Sequence, residues 1–453
     1  MPRPSTQAEY LASLVPPSSR AFSRRTMLRG ALGAGALLAT PAGLAACSSG
    51  SSSTGSATGG AGGGGGATGT VTLGSNQSDA VPKAAIQSVM DAFQKANSGL
   101  TVKINTVDHN TFQENINNYL PGAPDDVFTW FSGYRMRFFA SKGLAGDVTD
   151  VWSGLSGMSD ALKKASTGDD GKQYFIPSTY YPWAVFYRKS VFAEKGYQVP
   201  KTLDNLKTLG AQMQKDGLTP IAFADKDGWP AMGTFDYLNM RTNGYQFHID
   251  LCAHKEAWNS PQVTEVFDTW KQLREYQDPA ALGLTWQEAA QKLGKKQAGM
   301  YLLGSFVTQQ FTDKAVLDDV DFFPFPEVKT EGTDAVEAPI DGLMLSKRGA
   351  QNQAAKDMLA FLGTGAGQGA YNKIDPSNIM TAKDADTSGY SEFIKKLAGV
   401  IGEAKNISQF FDRDALPAMA SNVMIPTLQS FTKSGSVDLA SVEKQAKSLY
   451  ADA

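Results

Sequence analysis

VTLGSNQSDA VPKAAIQSVM DAFQKANSGL TVKINTVDHN TFQENINNYL PGAPDDVFTW, residues 71–130, is the stretch that decides the fold class. Val71-Thr72-Leu73 opens it as a strand. From Asp79 to Phe93, the apolar residues Ile86, Val89, Met90 and Phe93 recur at i, i+3, i+4 and i+7, one face of a helix, with Pro82 in its first turn. Leu100, Val102 and Ile104 then alternate, which predicts a half-buried strand. Phe112, Ile116 and Tyr119 form a second helical stripe. Asp126 to Trp130 is a short apolar strand running into the turn Ser132-Gly133-Tyr134. Strand, helix, strand, helix, strand implies a parallel sheet with helices packed on it.

The same grammar restarts after Pro177. Ala184-Val185-Phe186-Tyr187 reads as a strand, Leu203 to Met213 and Val263 to Leu273 as helices, and Gly299 to Leu303 as a strand. Ala338 to Ser346 reads as a crossing back, followed by a helix from Asn352 to Phe361. With 453 residues, more than one ordinary core holds, two α/β lobes with the chain passing between them is the economical reading.

Composition narrows the partners. Hydrophobic residues at 42% and charged residues at 19% describe a folded, soluble body. Of 42 basic and 45 acidic residues, five bases and one acid fall within residues 1–46, so the remainder holds 37 against 44, a net of -7. An acidic body argues against nucleic acid and against anionic lipid as partners. The two cysteines, Cys47 and Cys252, make no disulfide framework. His109, His248 and His254 are the only histidines, and the last two are six apart, which fits no common zinc spacing. No Gly-x-Ser-x-Gly, His-Glu-x-x-His or Gly-x-x-x-x-Gly-Lys-Ser/Thr occurs. The expectation is no metal, no cofactor and no catalytic residues.

The first seventy residues read as an address and a tether. Ser23-Arg24-Arg25-Thr26-Met27-Leu28-Arg29 precedes a weakly apolar run, Gly30 to Ala46, resembling a twin-arginine export signal over residues 1–46. The run ends Leu44-Ala45-Ala46-Cys47, which resembles a bacterial lipobox, cut before a cysteine that takes lipid. Residues 47–69 would then be the lipidated Cys47 and a Ser/Gly-rich coil spanning on the order of 25 Å.

Tyr174-Phe175-Ile176-Pro177, then Phe186-Tyr187-Arg188, then Phe192 to Gly196, Pro200 and Leu203, resembles the consecutive pattern of extracellular solute-binding proteins of carbohydrate ABC transporters, the maltose-binding-protein superfamily. Lys296 to Met300 with Leu303-Gly304-Ser305-Phe306 is similar to the segment before that family's lower-lobe aromatic loop. Gln409 to Asp414, running to Met424-Ile425-Pro426, resembles the C-terminal motif of its lipoprotein branch. Two departures are Phe306, where the family often has Trp, and Arg188, where it often has Asn. The resemblance implies a two-lobe periplasmic-binding-protein-like α/β fold (type II), each lobe a mostly parallel sheet flanked by helices and joined by a hinge. Lobe one would be 70–179 with 337–380, and lobe two 180–336 with 381–453. It also implies a monomer outside the cytoplasm, lipid-anchored at the outer face of the membrane, that captures a carbohydrate by hinge closure and hands it to ABC permease subunits.

A sugar site must offer flat apolar faces to C–H surfaces and paired polar groups to each desolvated hydroxyl. Trp130 and Tyr134 flank the end of a strand, where ligands of open α/β sheets sit, with core packing the other reading for Trp130. Tyr180, Tyr181 and Trp183 lie at the lobe crossing, facing ligand or packing the hinge. Trp229 stands in a turn-rich loop with no helical stripe to join. Phe306 resembles the family's stacking residue. Asp341 at the second crossing is a hydroxyl acceptor or a turn cap. Asp412 and Arg413 either reach ligand or brace the lobe, and Asn76 and Gln77 follow the first strand. Trp270 shares a stripe with Val263, Val266, Phe267 and Leu273 and belongs to core; Trp258 and Trp286 have no assignment. A secreted glycan-active hydrolase, with two carboxylates across the scissile bond, and a non-transport receptor or adhesin on the same fold stay open.

Overall fold

A computed structural model describes residues 69–329 and 335–451. The export segment, Cys47 and the tether as far as residue 68 lie outside the described residues, and Gly69 already opens the first strand.

Two sheets organise the chain. The larger runs β12-β5-β11-β3-β1-β2, with β4 beside β11. Its strands are β1 (Gly69–Ser75), β2 (Leu100–Thr106), β3 (Val127–Phe131), β4 (Ala145–Gly146), β5 (Ile176–Tyr180), β11 (Ile340–Ser346) and β12 (Ile379–Met380). The smaller runs β7-β8-β6-β9, from β6 (Trp183–Arg188), β7 (Thr219–Ala222), β8 (Ala298–Gly304) and β9 (Val320–Phe323). A short parallel pair joins β10 (Ala335–Glu337) to β13 (Asn406–Ser408).

Helices form where the stripes predict them. The helix Ala80–Ala96 buries Ile86, Val89, Met90 and Phe93, and each such side chain contributes roughly 1.5–3 kcal/mol of transfer free energy. The helix His109–Tyr119 starts where the Asp108 carboxylate accepts from the Thr111 N–H at 3.0 Å, and it buries Phe112 and Ile116. A Thr285/Glu288 capping box starts the helix Trp286–Gly294. Trp270 is core, packed on Phe267 and Phe431.

The two-lobe α/β fold is the one the sequence implies, but the sheets are mixed rather than mostly parallel. β1 pairs parallel with β2 and β3, whereas β11 pairs antiparallel with β3, β4 and β5. β6 pairs antiparallel with β8 and β9, while β7 and β8 are parallel. The cause is the crossing. β1, β3 and β5 end at the seam between the sheets, whereas β11 and β6 begin there and must run the other way. The crossings are hydrogen-bonded to one another, the Tyr181 N–H donating to the Pro339 carbonyl at 3.3 Å.

β11 enters between β3 and β5 with a register shift at Asp341/Gly342. There the backbone comes so close that a Cβ on Gly342 would lie 2.0 Å from the Ile176 carbonyl oxygen. Gly342→Ala is expected to destabilise by at least about 2 kcal/mol, since the clash is with backbone and no rotamer relieves it, read as a lower urea midpoint with unchanged slope.

Candidate functional site

The ends of the strands build the site. The register Asp341↔Phe131 and Ile340↔Tyr180 sets Asp341, Phe131 and Tyr180 at one edge of the large sheet, alongside the end of β1 at Ser75. The register Trp183↔Gly304, with β7 parallel to β8, puts Trp183, the Ser305–Phe306 turn and the loop after Ala222 at the facing edge of the small sheet. The seam is therefore lined by strand ends from both sides, the usual place for a ligand in α/β sheets.

An ionic network crosses the seam. Arg413 Nη1 donates to Asp341 Oδ1 at 2.9 Å, its Nη2 donates to the Tyr181 hydroxyl, and Tyr181 donates to Asp341 Oδ1 at 3.0 Å. The guanidinium lies 4.0 Å above the Phe131 ring. Asp412 Oδ2 takes Arg135 Nη1 at 3.1 Å, and Arg135 in turn lies over Trp130 and donates to Gln113 Oε1 at 2.6 Å. Burial raises the Asp341 carboxyl above its usual range, against the pull of Arg413, Tyr181 and His109. Burial lowers His109, with Asp341 opposing, and burial keeps the Tyr181 hydroxyl protonated. Burial works against the Arg413 charge, yet Tyr181, Asp341 and Asp412 outweigh it and hold the guanidinium above its ordinary value.

Beside this network stands an aromatic box. Phe306 lies 5.5 Å from Tyr181, 5.1 Å from Trp286 and 6.1 Å from Trp229, centroid to centroid. Trp183 lies 5.1 Å from Phe410 and 6.2 Å from Trp229. Phe410 has φ +118°, a left-handed conformation that costs a non-glycine residue about 1–3 kcal/mol. Tyr181 belongs to both halves, its ring in the box and its hydroxyl in the ionic network. Of these rings Trp229 and Phe306 are the partly exposed ones, and they offer a face to a flat, uncharged, hydroxylated molecule whose hydroxyls the neighbouring carboxylates and guanidiniums can pair.

The structure brings Tyr181, Trp183, Trp229, Phe306, Asp341, Asp412 and Arg413 together here. Trp130 is 1% exposed, its ring enclosed by Phe112, Phe128, Phe131 and Phe139. Tyr134 opens the helix Tyr134–Ser141 with Arg137 over its ring, and Tyr180 closes β5 half-buried. Asn76 is buried against Thr129 Oγ1, and Gln77 follows it. Among the described residues, Asn76 Nδ2, Gln77 Oε1, Trp183 Nε1 and Asp412 Oδ1 are buried atoms without a hydrogen-bond partner, so each can still take a polar group. Arg188 instead braces the small sheet through Asp319 at 2.7 Å. Arg135, Trp286, Gln409 and Phe410 were missed; Trp286 and Phe410 carry no periodicity that separates site from core.

A family model described as bacterial extracellular solute-binding protein matches residues 77–369. This chain belongs to that family. The solved bacterial solute receptor AcbH, described as having an exclusive substrate preference for β-D-galactopyranose, is 46% identical, covering 84% of this chain and 99% of that one, with a TM-score of 0.81. An uncharacterised ABC transporter extracellular-binding protein of Pyrococcus horikoshii is 27% identical over 66% of this chain and 68% of its own. The alpha-glucosides-binding periplasmic protein AglE of Rhizobium meliloti is 26% identical over 62% and 66%. These relatives are solute-binding proteins rather than enzymes, and no helix among the described residues is long and apolar enough to cross a membrane.

In this solute-binding protein Arg413 is held by a fork of contacts and a ring stack that a point-charge ammonium does not reproduce. Arg413→Lys is expected to lower unfolding free energy by about 2 kcal/mol, and Arg413→Met, which strands Asp341 without its cation, by about 3–5 kcal/mol, both measured by urea denaturation at neutral pH.

Proposed function

We propose that the chain is the sugar-capturing subunit of an ABC importer and that it takes a single pyranose ring of the β-D-galactose kind. The observation that carries the reading is the aromatic box of Trp183, Trp229, Trp286, Phe306 and Phe410 sharing Tyr181 with the Arg413–Asp341 network. Galactose presents a patch of C–H on one face and a ring of hydroxyls at its rim. The rings would bury the patch, and Asp341, Asp412 and Arg413 would pair the hydroxyls, with Asn76 and Gln77 at the end of β1. Kinship with AcbH, at 46% identity, supports a monosaccharide over an oligosaccharide.

In this reading lobe one is 70–179 with 337–380, lobe two is 180–336 with 381–453, and the lobes swing shut on ligand about their crossings. The body is a monomer tethered to the outer membrane face through lipid on Cys47, and the closed shape is what the permease meets. Two contacts support closure: Gln287 Nε2 reaches Asp79 Oδ1 at 3.3 Å, and Gln309 Nε2 reaches Asp375 Oδ2 at 2.8 Å. Each joins the small-sheet side to the large-sheet side.

Titration calorimetry with a panel of free sugars tests the function. Galactose is expected to bind at about micromolar Kd, near -8 kcal/mol, with no new product by NMR. Trp229→Ala and Asp341→Asn should each weaken it by about 10–100-fold, through lost stacking and a lost charge-assisted bond. Release of a cleaved product would move the protein to the hydrolases, and silence across the panel would favour a non-transport receptor. The double change Gln287→Ala with Gln309→Ala is expected to shift the ligand-free ensemble open, seen as a larger radius of gyration by small-angle scattering that added sugar reverses.

A further inference from the structure

Directly behind the site, Ser408 to Arg413 rests on three carboxyl groups from three separate elements. Asp236, fully buried in the helix Pro230–Asn243, accepts from the Phe411 N–H at 2.6 Å. Asp414 Oδ2 accepts from the Gln409 N–H at 2.8 Å and from the Ser408 hydroxyl at 3.0 Å. Glu337, fully buried on β10, stands in register with Ser408 of β13. Asp236 Oδ1 and both Glu337 carboxyl oxygens have no hydrogen-bond partner among the described residues. Between the bonds at Gln409 and Phe411 sits Phe410, the residue with φ +118°.

We propose that Asp236, Glu337 and Asp414 are positioning residues for the ligand site: as a shared buried clasp they hold Phe410 in its left-handed turn and Arg413 in the seam, so that the protonation of the clasp sets the shape of the site. The proposal rests on the sugar reading only for what the segment is for.

The groups facing the clasp are few. The helix Tyr245–Cys252 contributes His248, whose Nε2 is 3.8 Å from Asp236 Oδ1 and 3.5 Å from Ser408 Oγ, together with Tyr245 and buried Cys252. Tyr237 and Arg241 come from the helix of Asp236, Asp412 and Arg413 from the clasped segment, and Arg137 from the helix Tyr134–Ser141. Burial drives Asp236 and Glu337 well above the carboxylate range, Asp414 and Asp412 repelling both and Asp236 repelling Glu337, and burial brings Asp414 to about 6. Burial also lowers His248 to about 3, so the imidazole is neutral and supplies no counter-charge. Asp236 and Glu337 therefore hold their protons to higher pH than an ordinary carboxyl does. A carboxyl whose pKa is raised by the fold stabilises that fold at low pH and loses the stabilisation as pH rises through the raised value. Alkaline pH puts unbalanced charge into a dry space, and opening the segment relieves both the repulsion and the turn at Phe410.

The test uses ligand-free protein, so a failure to bind galactose leaves it standing. Hydrogen exchange across residues 408–414 and tryptophan emission, sensitive here because Trp183 and Trp229 touch Phe410, are followed from about pH 6 to about pH 10. The wild type is expected to lose protection about tenfold beyond the intrinsic base-catalysed rise, with a matching emission change. Glu337→Gln, which carries a permanently neutral isostere, is expected to keep its protection, and Asp236→Asn to behave likewise, because its carbonyl still accepts from Phe411. Identical pH profiles in wild type and both variants overturn the proposal. So does a Glu337→Gln protein that fails to fold at neutral pH, since the amide mimics the neutral carboxyl that burial favours. With galactose as probe, a wild-type affinity that falls about tenfold with the same pH profile, and does not fall in Glu337→Gln, extends the result to the ligand; an affinity flat in both overturns the link to the site.

Discussion

The Arg413 guanidinium is the constraint on which the seam depends. It joins Asp341, at the first residues of the returning strand β11, to Tyr181, at the first crossing, while lying on Phe131 at the end of β3. One side chain thus ties both crossings and the large sheet to the C-terminal segment. A charge this enclosed is tolerable because its Nη1 and Nη2 are hydrogen-bonded and Asp412 Oδ1 stands 3.7 Å from its Nε. Two carboxylates, a phenol and an aromatic face replace the water it has lost. Gly133, with φ +85°, lets the backbone come near enough: a Cβ there would lie 2.8 Å from the Arg413 carbonyl oxygen.

From that tie the division of labour follows. The large sheet presents mainly polar groups to the seam, through Asp341, Ser132 and the Asn76–Gln77 corner. The small sheet presents mainly rings, because β6 begins with Trp183, β8 runs into the Ser305–Phe306 turn, and the loop after β7 carries Trp229. Gln409 ties the C-terminal segment to the large sheet, its Oε1 accepting from Ser132 Oγ at 2.5 Å and from the Ile340 N–H at 3.1 Å. A hinge protein needs few ties across its seam, so that it opens, and directional ones, so that it closes in one register.

Much of this was legible in the residues. Ile86, Val89, Met90 and Phe93 named a helix face because burial imposes its period on sequence, and the strands at Val71 and Val102 follow the same logic. The crossing at Ala338 to Ser346 could be read because β11 carries the apolar run Leu343-Met344-Leu345. What could not be read is direction: whether a strand begins or ends at the seam decides parallel against antiparallel, and no local pattern carries it. The Trp130 ring shows the limit of the strand-end rule. β3 is buried on both faces, so a residue at its end still meets helices, and Phe112 and Phe139 enclose it. Phe410 is opaque for a different reason. Its place depends on a positive φ imposed by bonds to Asp236 and Asp414 on either side, and left-handed phenylalanine has no sequence signature.

Charge explains why an uncharged ligand suits the seam. Asp341 and Asp412 face Arg413 and Arg135, two carboxylates against two guanidiniums, and burial lowers His109 toward its neutral form. Each of these ions already has its counter-ion, so a charged ligand entering would leave one of them, or itself, unpaired in a dry space. The rim carries Asp79, Asp108 and Asp227; burial raises the Asp227 carboxyl, with Asp108 and Asp79 adding to it and Lys226 and His109 opposing. An anionic sugar acid would approach against that field. A neutral polyol meets no such barrier, because hydroxyls donate to the carboxylates and accept from the guanidiniums without altering the balance between them.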